Sequence, residues 1–457
     1  SRGKQQQPRE QKENECTWCV LLMDKESRAL PLTGDTDAFA SHTIRCRFPQ
    51  IVANVLKDNP QWPEEYRLRL SALETLYRTQ PEKVALSTSD GEASWNLDVS
   101  AGETSPEMIA VSTMLDGQPV LQAPWIYVEV YFYAQLLRES GFFSHRLDPF
   151  ASTKERSCLD ALPAVAAIAR FALEETVQPT QGRLSPSRDS TVLHTLLMYS
   201  LWANRIDLSM WTPQQLQGHE FQHRVEVQVE EETKNLLVDD SSLAIEFLLL
   251  QREVGTGGQP LLIILDNAGM ELCCDLMWTH AILSKGIVHQ VILHAKKLPT
   301  FVSDATPRDV ELTLQWMQAQ EGKELQRVAK ELVEFLEAGT LRVESDWFYN
   351  SPLLYQDMPV HIRDCFQEAC LVLSKGDLNY RRLVGDAHWA VDTPFSFVVN
   401  YLPEGTNLLA LRTLKSCSLC GVDLEEAQRA EKEQGQGWRS CGEYAVVQFL
   451  QSIQESA

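Results

Sequence analysis

The chain has 457 residues, 44% hydrophobic and 23% charged, a composition typical of a globular protein with one large domain or two to three smaller ones. Its formal net charge is −22, from 41 basic and 63 acidic residues, which argues against a nucleic acid or an anionic membrane as partner because both bind basic faces. A local cluster of arginine and lysine could still hold a phosphate-bearing small molecule.

Residues 1–37 begin with a polar stretch rich in Gln, Lys and Glu, and we expect a mobile tail there. The stretch lacks the apolar core of a secretory signal, and no run of about 18 apolar residues predicts a membrane span. Eleven cysteines, an odd number, fit reduced thiols better than a disulfide framework. These features together indicate a cytoplasmic protein.

Residues 38–190 are predicted to form a helical domain, because apolar residues recur there at helical spacing. A polar insert at 87–106 interrupts the pattern, and a turn-rich connector is predicted from Pro179 to Ser190. The predicted helices lie at 48–59, 66–78, 124–140 and 162–175.

Residues 191–457 are predicted to form an α/β domain. After a helix at 191–210, short apolar runs alternate with helical ones from Leu261 onward, which indicates βαβ units and a mostly parallel sheet. The helices are predicted at 270–284 and at 307–338, the latter as one long helix or two. The strands are predicted at 261–266, 289–295, 340–346, 369–377, 408–414 and 444–450.

Polar side chains follow two of these strands. Asp266 and Asn267 come directly after the five aliphatic residues that begin at Leu261, and Asp304 lies in the loop after the 289–295 strand. Ligands of open α/β sheets bind beyond the carboxyl ends of the strands, so we expect these side chains at one edge of the sheet. Taken alone, Asp304 is more simply explained as an aid to the helix cap that Thr306 begins.

Two later strands end in charged residues as well. Asp377 ends one strand and Asn379 follows it, although a capping Asp in a strand-to-helix turn would give the same pattern. Arg412 and Lys415 lie at the end of another strand. Both residues could simply be solvated side chains at a strand end. Two cations at this edge of an acidic chain nevertheless favour an anion site.

The combination predicts a reaction class. Two carboxylates and an amide oxygen are hard ligands that suit Mg²⁺, Mn²⁺ or a similar ion better than structural zinc. A metal so held polarises a phosphoryl group, and Arg412 and Lys415 could neutralise its oxygens. Hydrolysis of a phosphate monoester is the simplest reaction that fits.

Four ordered motifs resemble those of the metal-dependent damage-control phosphatases: LDNAGMEL, FVSDAT, KGDLNYR and RTLKS. The Arg-Thr-x-Lys motif is typical of the sugar-phosphate subfamily, also called the acidic-residue methyltransferase family. Upstream segments, TIRCRFPQIVANVL, APWIYVEVYFY and SLWANRIDLS, are similar to its helical region. The resemblance therefore runs from about Ala38 to the C-terminus.

The resemblance implies a helical N-terminal region packed on a three-layer α/β/α sandwich. It implies Mn, Co or Ni, with Mg as a further option, held by Asp266, Asn267 and Asp304, and action on fructose 1-phosphate, fructose 6-phosphate or a related sugar phosphate. Separately, we expect a monomer. Asn204 and Asp207 match one further family motif. Asp377 and Asn379 match the family's GDLNYR motif, and we count these two among the substrate-binding candidates. The resemblance implies phosphate and sugar contacts from Arg412, Thr413, Leu414, Lys415 and Ser416, and we expect Asp266 and Asn267 to contact the substrate as well as the metal.

Two other functions stay open. Glu443 stands where some relatives carry a substrate-holding Lys, so a metal-binding protein without turnover is one alternative. The other is methyl transfer from S-adenosylmethionine to protein carboxylates, with Glu271 and Asp304 as candidate cofactor contacts. No glycine-rich loop follows the Leu261 strand, and GTGG at 255–258 precedes it, so we rank the phosphatase above the methyltransferase.

Two cysteine pairs have the spacing of zinc ligands, Cys16 with Cys19 and Cys417 with Cys420. They lie at opposite ends of the chain, and spacing alone is a weak signal without structural context. Free thiols are the favoured interpretation.

Overall fold

The computed structural model describes residues 30–87, 115–177, 186–203, 232–254 and 258–452. The strands are β1 Leu30–Pro31, β2 Leu236–Asp239, β3 Leu261–Ile264, β4 Val291–Lys296, β5 Leu341–Asp346, β6 Leu371–Lys375, β7 Ala387–His388, β8 Leu408–Thr413 and β9 Ala445–Leu450.

The helices fall into an N-terminal group and a group interleaved with the strands. The first group is α1 Ala38–His42, α2 Phe48–Asp58, α3 Glu64–Thr79, α4 Trp125–Glu139, α5 Phe142–His145, α6 Ala151–Val177 and α7 Pro186–Trp202, with a π-helix at Thr43–Arg47. The second is α8 Ser241–Val254, α9 Met270–Ser284, α10 Pro307–Ala319, α11 Lys323–Ala338, α12 Trp347–Asn350, α13 Val360–Glu368, α14 Asp377–Leu383, α15 Phe395–Val398 and α16 Leu424–Gln434. Single 3₁₀ turns cover Pro81–Lys83, Tyr355–Asp357 and Gly435–Gly437.

A seven-stranded sheet in the order β2-β9-β8-β6-β3-β4-β5 forms the centre of the molecule. From β8 to β5 all neighbours pair in parallel. β9 runs antiparallel to β8, and β2 runs parallel to β9. Ile264 in β3 lies opposite His294 in β4 and Ser374 in β6, so the carboxyl ends of these strands stand level with each other.

Helices cover both faces of this sheet. Alternate β3 residues point to opposite faces, as the pleat requires: Leu261 and Ile263 pack with α6 to α11, whereas Leu262 and Ile264 pack with α12 to α16. Burial on both sides explains why β3 is an unbroken apolar run. The predicted α/β/α sandwich with a mostly parallel sheet is confirmed.

The N-terminal helices α1 to α4 form their own core. Phe48 stacks on Phe132 at a centroid distance of 3.9 Å and on Trp125 at 5.8 Å. Leu378 of α14 joins this cluster, so the helical region packs on the strand-end side of the α/β part. The helices α6 and α7 instead share a core with β3 and α9, and the predicted division at residue 190 stays a prediction.

Most predicted elements are found, with informative differences. The 307–338 segment is two helices, and α7 begins at Pro186, inside the predicted connector, because proline is well suited to the first turn of a helix. β2, α8 and the small sheet of β1 with β7 were not predicted. Within the described ranges no helix is long and apolar enough to cross a bilayer. Several predictions fall outside those ranges, namely those on residues 1–29 with Cys16 and Cys19, on almost all of the insert, on most of GTGG, and on Asn204 and Asp207.

Candidate functional site

The loops that follow β3 and β4 meet at the strand-end edge of the sheet. A backbone bridge joins Asn267 to Asp304. The Ala305 N–H donates to the Asp266 carbonyl at 2.8 Å, and the Ala268 N–H donates to the Ser303 carbonyl at 2.6 Å. The structure therefore places Asp304 beside Asp266 and Asn267, as the strand-end argument predicted.

Asp304 is not part of the helix cap that offered the alternative explanation. The start of α10 is closed by a capping box in which Thr306 and Asp309 bond each other's backbone N–H groups. One carboxylate oxygen of Asp304, Oδ2, is buried and makes no hydrogen bond; it has only a long ion pair with Lys296 Nζ at 3.6 Å. A buried carboxylate oxygen without a hydrogen bond is costly, and the cap does not account for it.

The Asn267 amide lies between two carboxylates. Its Nδ2 donates to Asp266 Oδ2 at 2.7 Å and to Glu271 Oε2 at 2.9 Å. Its Oδ1 accepts from Ser303 Oγ at 2.6 Å. An amide N–H₂ group thus occupies the point between the acids where positive charge is most favourable.

These acids are buried close together, and their protonation reflects it. Burial raises the pKa of Asp266 well above its usual value, and the neighbouring Glu271 and Asp304 raise it further. Burial also raises the pKa of Asp304 to about 6, against the opposing charge of Lys296, whose Nζ lies 3.6 Å from Asp304 Oδ2. Crowded acids of this kind are stabilised by a cation.

The residues present fit a divalent metal. In the part of the chain that the structure describes, no group of three or more His, Cys, Asp or Glu side chains could hold a metal ion, so a site here requires the Asn267 oxygen. Asn267 Oδ1 accepts from Ser303, the neighbour of Asp304, and can serve as that oxygen while Nδ2 keeps its hydrogen bond to Glu271. The set of Asp266, Asn267 and Asp304 then offers the hard oxygen ligands that Mg²⁺ and Mn²⁺ prefer.

Gly376 makes room for Asp266. Its φ of +88° is one that L side chains rarely adopt, and a Cβ atom there would lie 2.0 Å from Asp266 Cγ. β6 must therefore turn into α14 through a glycine if Asp266 is to stand beside it.

Asp377 and Asn379 make hydrogen bonds to other parts of the same chain. Asp377 accepts from Arg412 Nε at 2.8 Å and from the Lys415 N–H at 3.0 Å. Burial alone would raise the pKa of Asp377, but Arg412 and Arg381 outweigh burial and lower it. Asn379 donates to the Lys375 and Leu265 carbonyls at 2.9 Å and 3.3 Å, which ties β6 to β3.

The Arg412–Ser416 segment divides into structural and exposed parts. Arg412 is fully buried, lies over the Tyr380 ring, and donates to Asp377 and to oxygens of Ser416 and Ser418. These contacts favour a role in positioning the loop over the direct phosphate contact predicted for Arg412.

In the rest of this segment, Lys415 is the cation that lies near the acids. The Leu414 side chain lies in the core, Ser416 Oγ donates to Asp377, and Thr413 pairs with Ala445 in the sheet. Lys415 is partly exposed, and its charge opposes the upward shift in the pKa of Asp266.

Glu443 lies beside this loop. The N–H of Leu414 donates to the Tyr444 carbonyl at 2.8 Å, and the N–H of Gly442 donates to the Leu414 carbonyl at 2.9 Å. These two bonds flank Glu443 and hold it next to the strand end that carries Lys415. Its effect on substrate binding stays a prediction.

Two buried lysines at the site were missed by the sequence reasoning. Lys296 ends β4, and its Nζ donates to the Tyr349 carbonyl at 2.8 Å. Lys375 ends β6, and its Nζ donates to Glu271 at 2.8 Å. Each lysine is the last residue of an apolar strand. That position could have indicated that both side chains lie near the acids at the strand-end edge.

The described cysteines are free thiols. Cys420 is buried, with its Sγ 3.6 Å from the Tyr380 hydroxyl, and Cys417 is partly buried. Whether they share zinc with Cys16 and Cys19 lies beyond the described residues.

Comparison with known proteins identifies damage-control phosphatases as relatives of this chain. The model of the damage-control phosphatase ARMT1-like domain matches residues 43–430. The damage-control phosphatase ARMT1 of Danio rerio is 29% identical over 441 residues, covering 90% of this chain and 94% of that protein. The Xenopus tropicalis protein of that name is 27% identical over 443 residues, covering 91% and 97%. Among solved structures, a DUF89 family protein from Pyrococcus horikoshii matches with a TM-score of 0.40 and 15% identity, covering 76% of this chain and 88% of that one.

Proposed function

The chain belongs to the damage-control phosphatase ARMT1-like domain family, and we propose that it is a divalent-metal-dependent phosphatase that hydrolyses small sugar phosphate monoesters. Fructose 1-phosphate and fructose 6-phosphate are the proposed substrates. One observation carries the proposal: the carboxyl ends of β3, β4 and β8 lie at one edge of the sheet, and Asp266, Asn267, Asp304 and Lys415 all follow these strand ends.

In this proposal the three oxygen-bearing side chains hold the ion, with Mn, Co or Ni expected and Mg a further option. When bound, such an ion supplies polarisation of the phosphoryl group and neutralisation of its charge. The structure supports the donor set through the crowded acids, the Asn267 oxygen beside Ser303 and the buried Asp304 oxygen that makes no hydrogen bond.

The remaining residues of the site act on the phosphate. Lys415 offers a positive charge to the phosphate oxygens while Asp377 holds its backbone N–H and Arg412 fixes the loop that follows. Water attacks phosphorus, the sugar oxygen leaves with a proton, and inorganic phosphate is the second product. Lys415 thus reduces the charge repulsion that opposes attack on a phosphate dianion.

The experiment measures phosphate release from fructose 1-phosphate by chelated enzyme, then after addition of Mn²⁺, Co²⁺, Ni²⁺ or Mg²⁺. We expect release only with added metal, and a fall of more than about hundredfold in Asp266→Ala, since even changes beyond the direct ligands cost 10–100-fold. Asp160→Ala, which removes an exposed carboxylate on α6, is the matched control and should leave the rate unchanged.

Folded protein that releases no phosphate with any of these metals would contradict the proposal. The position of Glu443 next to the Lys415 loop favours one second candidate, a protein that binds the metal and the sugar phosphate without turnover. Retained Mn²⁺ binding without phosphate release, with release gained in Glu443→Lys, would support that candidate.

A further inference from the structure

A buried three-charge cluster lies beneath the candidate metal site. Lys375, the last residue of β6, has a side chain only 2% exposed. Its Nζ donates to Glu271 Oε1 at 2.8 Å and to Asp275 Oδ1 at 2.6 Å. Both acids lie on α9, one turn apart, so a single lysine holds the two carboxylates on the same helical face.

The two arms of the cluster lead to different places. Glu271 uses its other oxygen, Oε2, to accept from Asn267 Nδ2 at 2.9 Å. Asp275 Oδ1 also accepts from Ser200 Oγ of α7 at 2.5 Å. One arm therefore reaches a candidate metal ligand, and the other anchors the cluster to a helix away from the strand-end loops.

The cluster is costly to bury, which points to a role. Removing three charged groups from water is offset only by good geometry and full pairing. Similar volumes of apolar side chain would stabilise the fold at least as well. What an ionic cluster adds is a fixed direction: Lys375 holds one Glu271 oxygen, and the other oxygen is left aimed at Asn267.

We propose that Lys375 is a positioning residue that sets the Asn267 amide through Glu271, and so controls metal affinity without touching the metal. The inference rests on the proposed function, because Asn267 is a ligand only in that proposal. Partners behind the direct ligands commonly fix ligand orientation, and their loss costs 10–100-fold in affinity or activity.

The test measures Mn²⁺ affinity of the full chain, from free Mn²⁺ counted by electron paramagnetic resonance, together with the metal-free unfolding temperature. In Lys375→Met we expect Mn²⁺ binding to weaken about 10–100-fold. Asp275→Asn is the matched control. It weakens the other ion pair of the same buried lysine, but Asp275 contacts Ser200 and not Asn267. It should lower the unfolding temperature but shift Mn²⁺ affinity less than about threefold, because the Glu271 arm is intact.

A second variant covers the case in which Lys375→Met does not fold. Glu271→Gln keeps the size of the side chain and removes its ionic hold on Lys375, and it should weaken Mn²⁺ binding in the same direction. If the wild type binds Mn²⁺ and the folded variants bind it equally tightly, this inference is overturned and the proposed function is not. A wild-type protein that binds no Mn²⁺ would overturn the proposed function and this inference with it.

Discussion

Gly376 is the residue whose replacement tests the Asp266 geometry most directly. An added Cβ would lie 2.0 Å from Asp266 Cγ and 2.1 Å from its Oδ2, so in Gly376→Ala the Asp266 carboxylate or the backbone must move. We expect Mn²⁺ binding and phosphate release to fall more than about hundredfold, because a displaced ligand harms the site more than a lost outer partner, which costs 10–100-fold.

The matched control for this prediction is Gly385→Ala. Gly385 has a similar φ of +83° with nothing within 4 Å of the added Cβ. Both variants should lose about 1–3 kcal/mol of unfolding free energy from the positive φ, measured by urea unfolding. Only Gly376→Ala should lose metal binding, and equal metal affinity in the two variants would show that Asp266 does not hold the ion.

At the level of single residues, the sequence identified acids better than cations. Asp266, Asn267 and Asp304 were predictable because polar residues directly after apolar strands must meet at one sheet edge. The contacts of Arg412 were not, because a sequence shows a cation but not which anion it binds. Here that anion is Asp377 of the same chain, and Lys375 was missed for the same reason.

Among the elements, the loop before Asp304 depends on the helical region. Phe301 and Val302 have φ angles of +48° and +71°, which are strained for bulky and β-branched residues. The Tyr133 ring of α4 lies 4.7 Å from that of Phe301. The helical region therefore helps to hold a strained loop that carries a candidate metal ligand.

Tyr133→Ala should release that loop. We expect a loss of about 3–5 kcal/mol in unfolding free energy, typical of removing a large buried aromatic side chain, and Mn²⁺ affinity about tenfold weaker because Asp304 is no longer held in place. Tyr77→Ala is the control: Tyr77 lies in the same helical core against Phe48. It should lose comparable stability with unchanged Mn²⁺ affinity, and weakened affinity in both variants would assign the effect to general loosening.

Element boundaries followed from sequence where the local signals agreed. α9 was predicted at its observed bounds, since Gly269 precedes an apolar run that is buried on almost every side. β2 was not predicted, because four residues at the sheet edge bury too little to produce a clear pattern. The start of α7 was misjudged because proline fits both a turn and the first turn of a helix.

On the scale of the whole molecule, the sheet accounts for the site. Parallel pairing from β8 to β5 places several strand ends at one edge, and this arrangement was predictable from the alternation of strands and helices. How the N-terminal helices close on that edge was not predictable, since the contacts of Tyr133 with Phe301 and of Glu129 with Arg381 join residues far apart in the chain.

The sheet also contains a titrating group that links stability to pH. His294 of β4 is buried, and its Nδ1 lies 2.5 Å from the Tyr349 hydroxyl. Burial lowers the pKa of His294 to about 4, against about 6.5 in an unfolded chain. Between these values the unfolded state binds a proton that the folded state does not, so stability falls as the pH falls from about 6.5 to about 4.

This difference predicts a loss of about 3 kcal/mol of unfolding free energy from His294 across that window. Urea unfolding of the metal-free protein at pH 7.5, 5.5 and 4.5 would measure it against His294→Gln, which keeps a polar partner for Tyr349. The variant should lose less stability on acidification than the wild type. Part of the pH dependence of stability that remains in the variant comes from His280, whose pKa burial also lowers. Parallel curves for the two proteins would mean that His294 takes up its proton equally in the folded and unfolded states.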